Sequence, residues 1–351
     1  MIPSCTKSSL LILLFSVISS PLFASKIPPI FRPTSALQAS DLAIIVNDAD
    51  SLSIKIANYY QQKRKIPAQN IIHIRFNPMY KILPVDTFTQ IKKQVDKLTP
   101  ENVQAYALTW MLPYRVGCMS ITTAFAAGYN DFFCAKSCNK TSLSPYFNSE
   151  SNQPYTNYKW RPTMALAGET FEEVKRLIDR GVASDYSHPT GTAYLLKTSD
   201  KERSARAAIH PLVTKALNGL WKIESLEQDY ISDKQDVMFY FTGMVHIKNI
   251  KTNHFLPGAV ADHLTSTGGV LKDSTQMSSL EWLKAGATGS YGAVIEPCNF
   301  VQKFPNPGIM MYYYIRGNSL IEAYWKSVAW PGQGIFIGEP LAKPFAYPHR
   351  S

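Results

Sequence analysis

Apolar runs of strand length alternate with helix-patterned segments along this chain, and the alternation restricts the fold more than any other feature. Strands are predicted over residues 42–46, 71–76 and 103–110, and the residues between them repeat at the spacing of an amphipathic helix. Continuous apolar strands joined by helices are typical of a parallel sheet covered on both faces. The sequence therefore predicts one α/β domain over residues 41–345, built on a mainly parallel, doubly wound sheet.

The alternation resumes near Met164 after a break. A helix capped at Thr170 is expected to end at Gly181, because glycine often terminates helices. A short helix is also predicted over residues 257–266. Later elements follow the same pattern and comprise strands over 193–197, 237–241, 287–295 and 335–337 and a helix over 320–328.

Residues 111–160 interrupt the alternation and are predicted to form an insertion over the sheet. The insertion contains Cys118, Cys134 and Cys138, and Cys298 lies further along. Once the predicted signal peptide, which contains Cys5, is removed, four cysteines remain, and an even number in an exported chain indicates disulfides. We expect a local Cys134–Cys138 bridge and a second bridge between Cys118 and Cys298. A zinc site is the alternative, but no CxxC pair or nearby histidine completes a ligand set, so we predict no metal.

The N-terminus is predicted to be a signal peptide over residues 1–24, followed by an extended arm over residues 25–40. Lys7 precedes the short apolar run LLILLFSVISS, and Ala24 and Ser25 offer a cleavage point. A retained membrane anchor is the alternative, but the run is shorter than the ~20 residues that span a bilayer. We therefore expect an exported, soluble product, periplasmic or secreted, with no further membrane span and a C-terminal tail over residues 346–351.

The formal charge of +10 comes from scattered lysines and arginines. This distribution favours a solvated basic surface over a nucleic-acid site, with envelope components or a peptide as partners. The chain has no phosphate-binding loop, and we predict no cofactor.

Several long motifs resemble those of an uncharacterised family of exported bacterial proteins. They cover most of residues 41–345 and include YYQQKRKIPAQNII, GTAYLLKTSDKERSARAA, FLPGAVADHLTSTGG, LKAGATGSYGAVIEPCN and IEAYWKSVAWPGQGIFIGEPLAKPF. This resemblance implies export but no defined activity.

The KRKIP segment and the late Gly-Glu-Pro are also similar to those of gingipain-type cysteine peptidases. That resemblance implies a caspase-like sheet, with a catalytic His after a Gly at the end of one central strand and a catalytic Cys at the end of the next. The first place matches Thr242-Gly243-Met244, and the second matches the loop before Phe255. Neither carries the expected residue, and no Cys occurs between Cys138 and Cys298.

Ligands of open α/β sheets bind beyond the carboxyl ends of the strands, and this rule selects the candidate residues. Candidate binding residues are Arg115, Thr242 and Asn299. Candidate catalytic residues are His246, Asp262, His263 and Glu296. Arg115 can clamp a carboxylate or instead form an ion pair with Glu296.

The sequence is compatible with two functions. The first is a binding or scaffolding protein on a peptidase-like fold without the Cys-His dyad. The alternative is a divergent hydrolase that uses Arg115, His246, Asp262, His263 or Glu296 in an unrecognised arrangement at the carboxyl edge of the sheet.

Overall fold

The computed structural model describes residues 35–135 and 138–348. The predicted signal peptide and most of the predicted arm lie outside this part of the chain, as do residues 349–351 of the predicted tail. At the start of the described chain, Ala36 and Leu37 are buried, and the Leu37 amide donates to the Glu322 carboxylate over 3.0 Å.

Thirteen strands and nine α-helices are formed by the described residues. The strands are β1 Leu42–Asn47, β2 Ile71–Ile74, β3 Ile82–Leu83, β4 Ala105–Leu108, β5 Arg115–Val116, β6 Met119–Ser120, β7 Thr163–Ala165, β8 Thr192–Lys197, β9 Lys222–Glu227, β10 Val237–Thr242, β11 Phe255–His263, β12 Gly289–Ala293 and β13 Gly334–Gly338. The helices are α1 Ser51–Arg64, α2 Val85–Leu98, α3 Ile121–Ala127, α4 Pro154–Tyr158, α5 Phe171–Ser184, α6 His210–Ala216, α7 Ser279–Ala285, α8 Pro307–Ile315 and α9 Leu320–Ser327.

Ten strands form one central sheet in the order β2-β1-β4-β7-β13-β12-β11-β10-β8-β9, and β3, β5 and β6 form a small second sheet. Neighbours in the large sheet pair in parallel except β12 and β13, which are antiparallel. Every residue of β1, β4, β10 and β12 is buried, and burial on both faces accounts for the apolar runs of β1, β4 and β10. The predicted mainly parallel α/β fold is confirmed.

The prediction of a helix over residues 257–266 is wrong, because residues 257–263 belong to β11 and no helix follows directly. Phe239 of β10 pairs with Val260, and Thr242 pairs with His263. A register shift near Pro257 and Gly258 separates this pairing from the first contact, at Val237. Side chains alternate between the faces of a strand, so Asp262 and His263 point to opposite faces of the sheet.

The prediction that Gly181 ends a helix is also wrong, because α5 continues to Ser184. A Cβ atom at Gly181 would lie 2.6 Å from the buried side chain of Glu339. Glu339 in turn accepts a hydrogen bond of 2.5 Å from the Tyr60 hydroxyl and forms an ion pair with Arg64. Gly181 therefore makes room for a buried polar cluster that binds the C-terminal segment to α1 and α5.

The predicted pairing of the cysteines is wrong, although all four form disulfides. The bridges are Cys118–Cys134 and Cys138–Cys298, with Cα–Cα distances of 5.4 and 5.5 Å. The hairpin of β5 and β6 holds Cys118 against the segment around Tyr129, whose hydroxyl lies 3.5 Å from Cys118 Sγ. Cys134 therefore meets Cys118, and Cys138 is left to meet the segment that follows β12.

No helix of the described chain combines the length and apolar character needed to cross a bilayer. Within residues 35–135 and 138–348, no group of three or more His, Cys, Asp or Glu side chains is arranged to hold a metal ion.

Candidate functional site

A cleft of about 270 Å³ opens where several strands of the large sheet end. The chain passes from β8 outward to β9 and then returns to β10 on the other side of β8. Such a reversal in strand order creates a crevice at the carboxyl ends of the strands, where ligands of α/β proteins bind. The side chains of the cleft follow β8, β11 and β12 and include Glu202, Arg203, Thr265, Ser266, Glu296 and Asn299, with the Cys138–Cys298 disulfide beside them.

Arg203 is held in a fixed position on one wall of the cleft. It begins the 3-10 helix Arg203–Ile209 after β8, and its backbone amide donates to Asp200 Oδ1 over 3.1 Å. Its guanidinium donates from Nη1 to Asp200 Oδ2 over 2.9 Å and from Nε to Thr265 Oγ1 over 3.0 Å. Thr265 donates to Gln276 Oε1 over 2.7 Å. The Thr265 hydroxyl is thus held between an arginine and an amide, with no base to activate it.

The end of β10 is covered by the chain that follows β8. A Cβ atom at Gly243 would lie 1.8 Å from the carbonyl oxygen of Arg203, so only glycine allows this approach. The Gly243 carbonyl accepts a hydrogen bond of 2.6 Å from Thr198 Oγ1. The space directly above this strand end is therefore filled by protein backbone.

Asp262 forms a fully buried ion pair beneath the cleft. Its Oδ1 atom lies 2.5 Å from Nη1 of Arg206, and the side chains of Asp262 and Arg206 are 0% and 3% exposed. Arg206 Nη2 also donates to the Thr242 carbonyl over 2.8 Å. Burial raises the pKa of Asp262 to about 6, although the adjacent guanidinium favours the ionised form. The pair joins the ends of β10 and β11 and offers no surface to a ligand.

His263 is buried on the opposite face of β11, against α7. The Trp282 indole donates to His263 Nδ1 over 2.9 Å, so Nε2 carries the proton and donates to the Met277 carbonyl over 3.1 Å. Burial lowers the pKa of His263 to about 3. Both ring nitrogens are used within the protein, which makes His263 a structural residue.

Replacing His263 by glutamine is expected to reduce the loss of stability in mild acid. The folded protein holds His263 neutral, whereas an unfolded histidine takes up a proton below a pKa of about 6.5. The contribution of neutral His263 to the free energy of unfolding is therefore fully present above that pH and is lost as the pH falls. Between pH 7 and pH 5 the loss from this residue is about 2 kcal/mol, because the unfolded chain binds the extra proton. Urea unfolding at both pH values measures it.

Glutamine keeps an acceptor for Trp282 and a donor for Met277 but does not titrate. The raised pKa of Asp262 opposes this effect in both proteins, so the difference between the two proteins is the quantity to compare. His263→Phe should be less stable at pH 7, because the buried Trp282 donor loses its acceptor, yet should show the same reduced pH dependence. Equal pH dependence in the wild type and both variants would contradict a buried neutral histidine.

Glu296 and Asn299 are the predicted site residues that do line the cleft, and both are exposed. Asn299 Nδ2 donates to Glu202 Oε2 over 2.6 Å, and the Cys298 amide donates to Glu296 Oε1 over 2.7 Å. Each carboxylate keeps its second oxygen for a ligand. Cys298 has a positive φ of 54°, and its sulfur is bonded to Cys138. No thiol is therefore present at this edge among the described cysteines.

The other predicted site residues do not join the cleft. Thr242 and Asp262 are buried below it, and His246 is exposed on the connection after β10. Arg115 lies on the small sheet, does not line the cleft, and its Nε atom has no hydrogen-bond partner within the described chain. The predicted catalytic residues are thus not brought into one hydrogen-bonded set.

Sequence reasoning missed Glu202, Arg203, Thr265 and Ser266. The available signal was the segment TSDKERSARAA, which follows a predicted strand and therefore lies at a strand end. Asp200 and Arg203 of this segment lie three residues apart, a spacing typical of a capped turn. The pattern alone gives no indication that Arg203 contacts Thr265, 62 residues further along the chain.

Two solved structures share this fold. One is the crystal structure of gingipain R, an Arg-specific cysteine proteinase; it is 11% identical, with a TM-score of 0.50, over 89% of this chain and 79% of that chain. The other is the complex of the pro- and mature domains of this proteinase from Porphyromonas gingivalis; it is 11% identical, with a TM-score of 0.50, over 87% of this chain and 80% of that chain. No family model and no curated protein matches this chain. At this identity the similarity shows a caspase-like, gingipain-type fold, and any activity must be inferred from the residues of the site.

Proposed function

We propose that this chain is an exported binding protein that holds a peptide segment in the cleft and does not cleave it. It would belong to the exported bacterial family that its long motifs resemble. The proposal rests mainly on one observation: Cys298, the described cysteine that lines the cleft after a strand, is bonded to Cys138. A cysteine peptidase needs a thiolate beside an imidazole, and here the nearby buried imidazole of His263 is committed to Trp282 and Met277.

The charge of the cleft favours a cationic side chain on the bound peptide. Glu202 and Glu296 are exposed carboxylates, whereas Arg203 is already paired with Asp200. The volume of about 270 Å³ suits one or two residues of a peptide. A lysine or arginine side chain would pair with the two carboxylates, and the peptide backbone would form hydrogen bonds with Ser266 and Asn299.

A peptide display screen tests the proposal. We expect selected peptides to carry Lys or Arg and to lose at least about tenfold in affinity for Ser266→Trp, which fills the cleft from a half-buried position. Thr87→Trp, at an exposed site on α2, is the matched control and should bind like the wild type. Equal binding by wild type and Ser266→Trp would place the peptide elsewhere.

The non-reduced protein is expected to show no peptidase activity and no labelling by thiol-directed active-site probes. The thiols that such probes require are consumed in Cys118–Cys134 and Cys138–Cys298. Peptide hydrolysis and mass spectrometry after probe treatment measure both properties. Stoichiometric labelling that disappears in Cys298→Ala and in His246→Ala would support the hydrolase alternative instead.

Export is the remaining part of the proposal. The N-terminal run is too short to anchor the chain, so the mature protein is expected to begin near Ser25. N-terminal sequencing of protein recovered from the extracytoplasmic fraction checks this. An intact chain starting at Met1 in the membrane fraction would show that the segment is retained.

A further inference from the structure

A second and larger cavity, of about 640 Å³, lies at the outer end of the sheet, away from the cleft. Helix α6 forms one wall, and the edge strand β9 and its neighbour β8 form the other. Its inner surface is largely apolar and includes Leu195, Ala207 and Pro211. Cavities of 300–1,000 Å³ with an apolar lining and a few polar groups are typical of small-molecule sites.

His210 is a buried polar residue that lines this cavity. It is only 4% exposed, and its Nε2 atom has no hydrogen-bond partner within the described chain. Burial and the positive charge of Arg206 lower the pKa of His210 to about 4, so the imidazole is neutral near pH 7. A buried polar atom without a partner is costly and uncommon in native proteins. A ligand that forms a hydrogen bond with the imidazole would remove that cost.

The rim of the cavity carries an excess of positive charge. Lys197 is paired with Glu227 over 2.9 Å. Lys215 is exposed on α6 and forms no ion pair with any residue of the described chain. Charge complementarity at the rim therefore favours one negative charge on the ligand, at the open end of the cavity.

We infer that this cavity binds an amphipathic monocarboxylate that carries a neutral hydroxyl group on its apolar chain. The chain would lie against Leu195 and Pro211, the hydroxyl would bond to the His210 imidazole, and the carboxylate would pair with Lys215. This inference is independent of the peptide-binding proposal, because no residue lines both the cavity and the cleft.

Isothermal titration of the full chain with decanoate and with 3-hydroxydecanoate tests the inference. We expect saturable 1:1 binding of both, with the hydroxylated chain bound about 2- to 10-fold more tightly, as one neutral hydrogen bond provides. His210→Phe fills the same space without ring nitrogens and should abolish that preference. Lys215→Glu should weaken both ligands at least tenfold, whereas Lys55→Glu, an exposed control on α1, should change neither.

Ala207→Trp should block the cavity, because Ala207 lines it from a half-buried position. Should that variant fail to fold, Thr214→Trp provides the same block from the half-buried rim, and circular dichroism shows which variants are folded. Loss of binding in a folded blocked variant supports the site. Unchanged binding in a folded blocked variant, or no saturable binding of either ligand to the wild type, overturns it.

Discussion

Replacing Arg206 by methionine is expected to lower the free energy of unfolding by about 3–5 kcal/mol, the cost of leaving a buried charge without its partner. Asp262 is fully buried, and its Oδ2 atom has no hydrogen-bond partner within the described chain. Arg206 also donates to the carbonyl oxygens of Thr242 and Pro305, over 2.8 and 3.2 Å. Methionine fills a similar volume but supplies none of these donors. Urea unfolding at pH 7 measures the loss.

Arg203 provides the matched control, because it lies in the same 3-10 helix and also pairs with an aspartate. Its side chain is 25% exposed, and solvent weakens its pairing with Asp200, so Arg203→Met should cost about 1 kcal/mol or less. The double variant Arg206→Met/Asp262→Leu should be more stable than Arg206→Met alone, because it removes the unpaired charge. Equal costs for the two arginines would show that the Arg206 pair does not hold β10 and β11 together.

Most of the strands that the sequence predicts are central strands buried on both faces, and the exception is β2, an edge strand that is predicted from its apolar run. β1 and β10 are apolar except for the last residue of each, Asn47 and Thr242, and this composition is typical of a central strand. β9 is not predicted because it is an edge strand of the sheet whose residues KIESLE are exposed or half-buried. β7 was missed because it has only three residues. For the central strands, burial on both faces in the folded protein is what produces the apolar runs that predict them.

β11 shows why the candidate site was only partly predictable. The segment PGAVADH begins with Pro and contains two alanines, which favours the start of a helix, while Asp and His are uncommon in a central strand. Asp262 is accommodated there only because Arg206, 56 residues earlier, reaches it. His263 is accommodated because Trp282 and Met277 satisfy both of its nitrogens. Contacts at this separation leave no pattern in a single sequence.

The prediction of the cysteine pairing is wrong for a related reason. Short separation suggested Cys134–Cys138, since closing a short loop needs little ordering of the chain. The structure instead separates these two cysteines between the hairpin of β5 and β6 and the segment after β12. Where a disulfide forms depends on which segments the sheet brings together, and the insertion links two that are 160 residues apart.

Removing the Cys138–Cys298 bridge is expected to cost more stability than removing Cys118–Cys134. The two bridges close loops of 160 and 16 residues, and the longer loop restricts the unfolded chain more strongly. The chain-entropy relation gives a loss of about 5 kcal/mol for Cys138→Ser/Cys298→Ser and about 3 kcal/mol for Cys118→Ser/Cys134→Ser. Urea unfolding of the two double variants measures this ranking.

Thiol titration of the same two variants decides the pairing independently of their stability. Each variant removes one whole bridge of the structure, so neither should contain a free thiol among the four cysteines Cys118, Cys134, Cys138 and Cys298. If the bridges were instead Cys134–Cys138 and Cys118–Cys298, each variant would break both and expose two thiols. Because Cys138–Cys298 lines the cleft, its removal should also weaken peptide binding, whereas removal of Cys118–Cys134 should leave binding closer to that of the wild type.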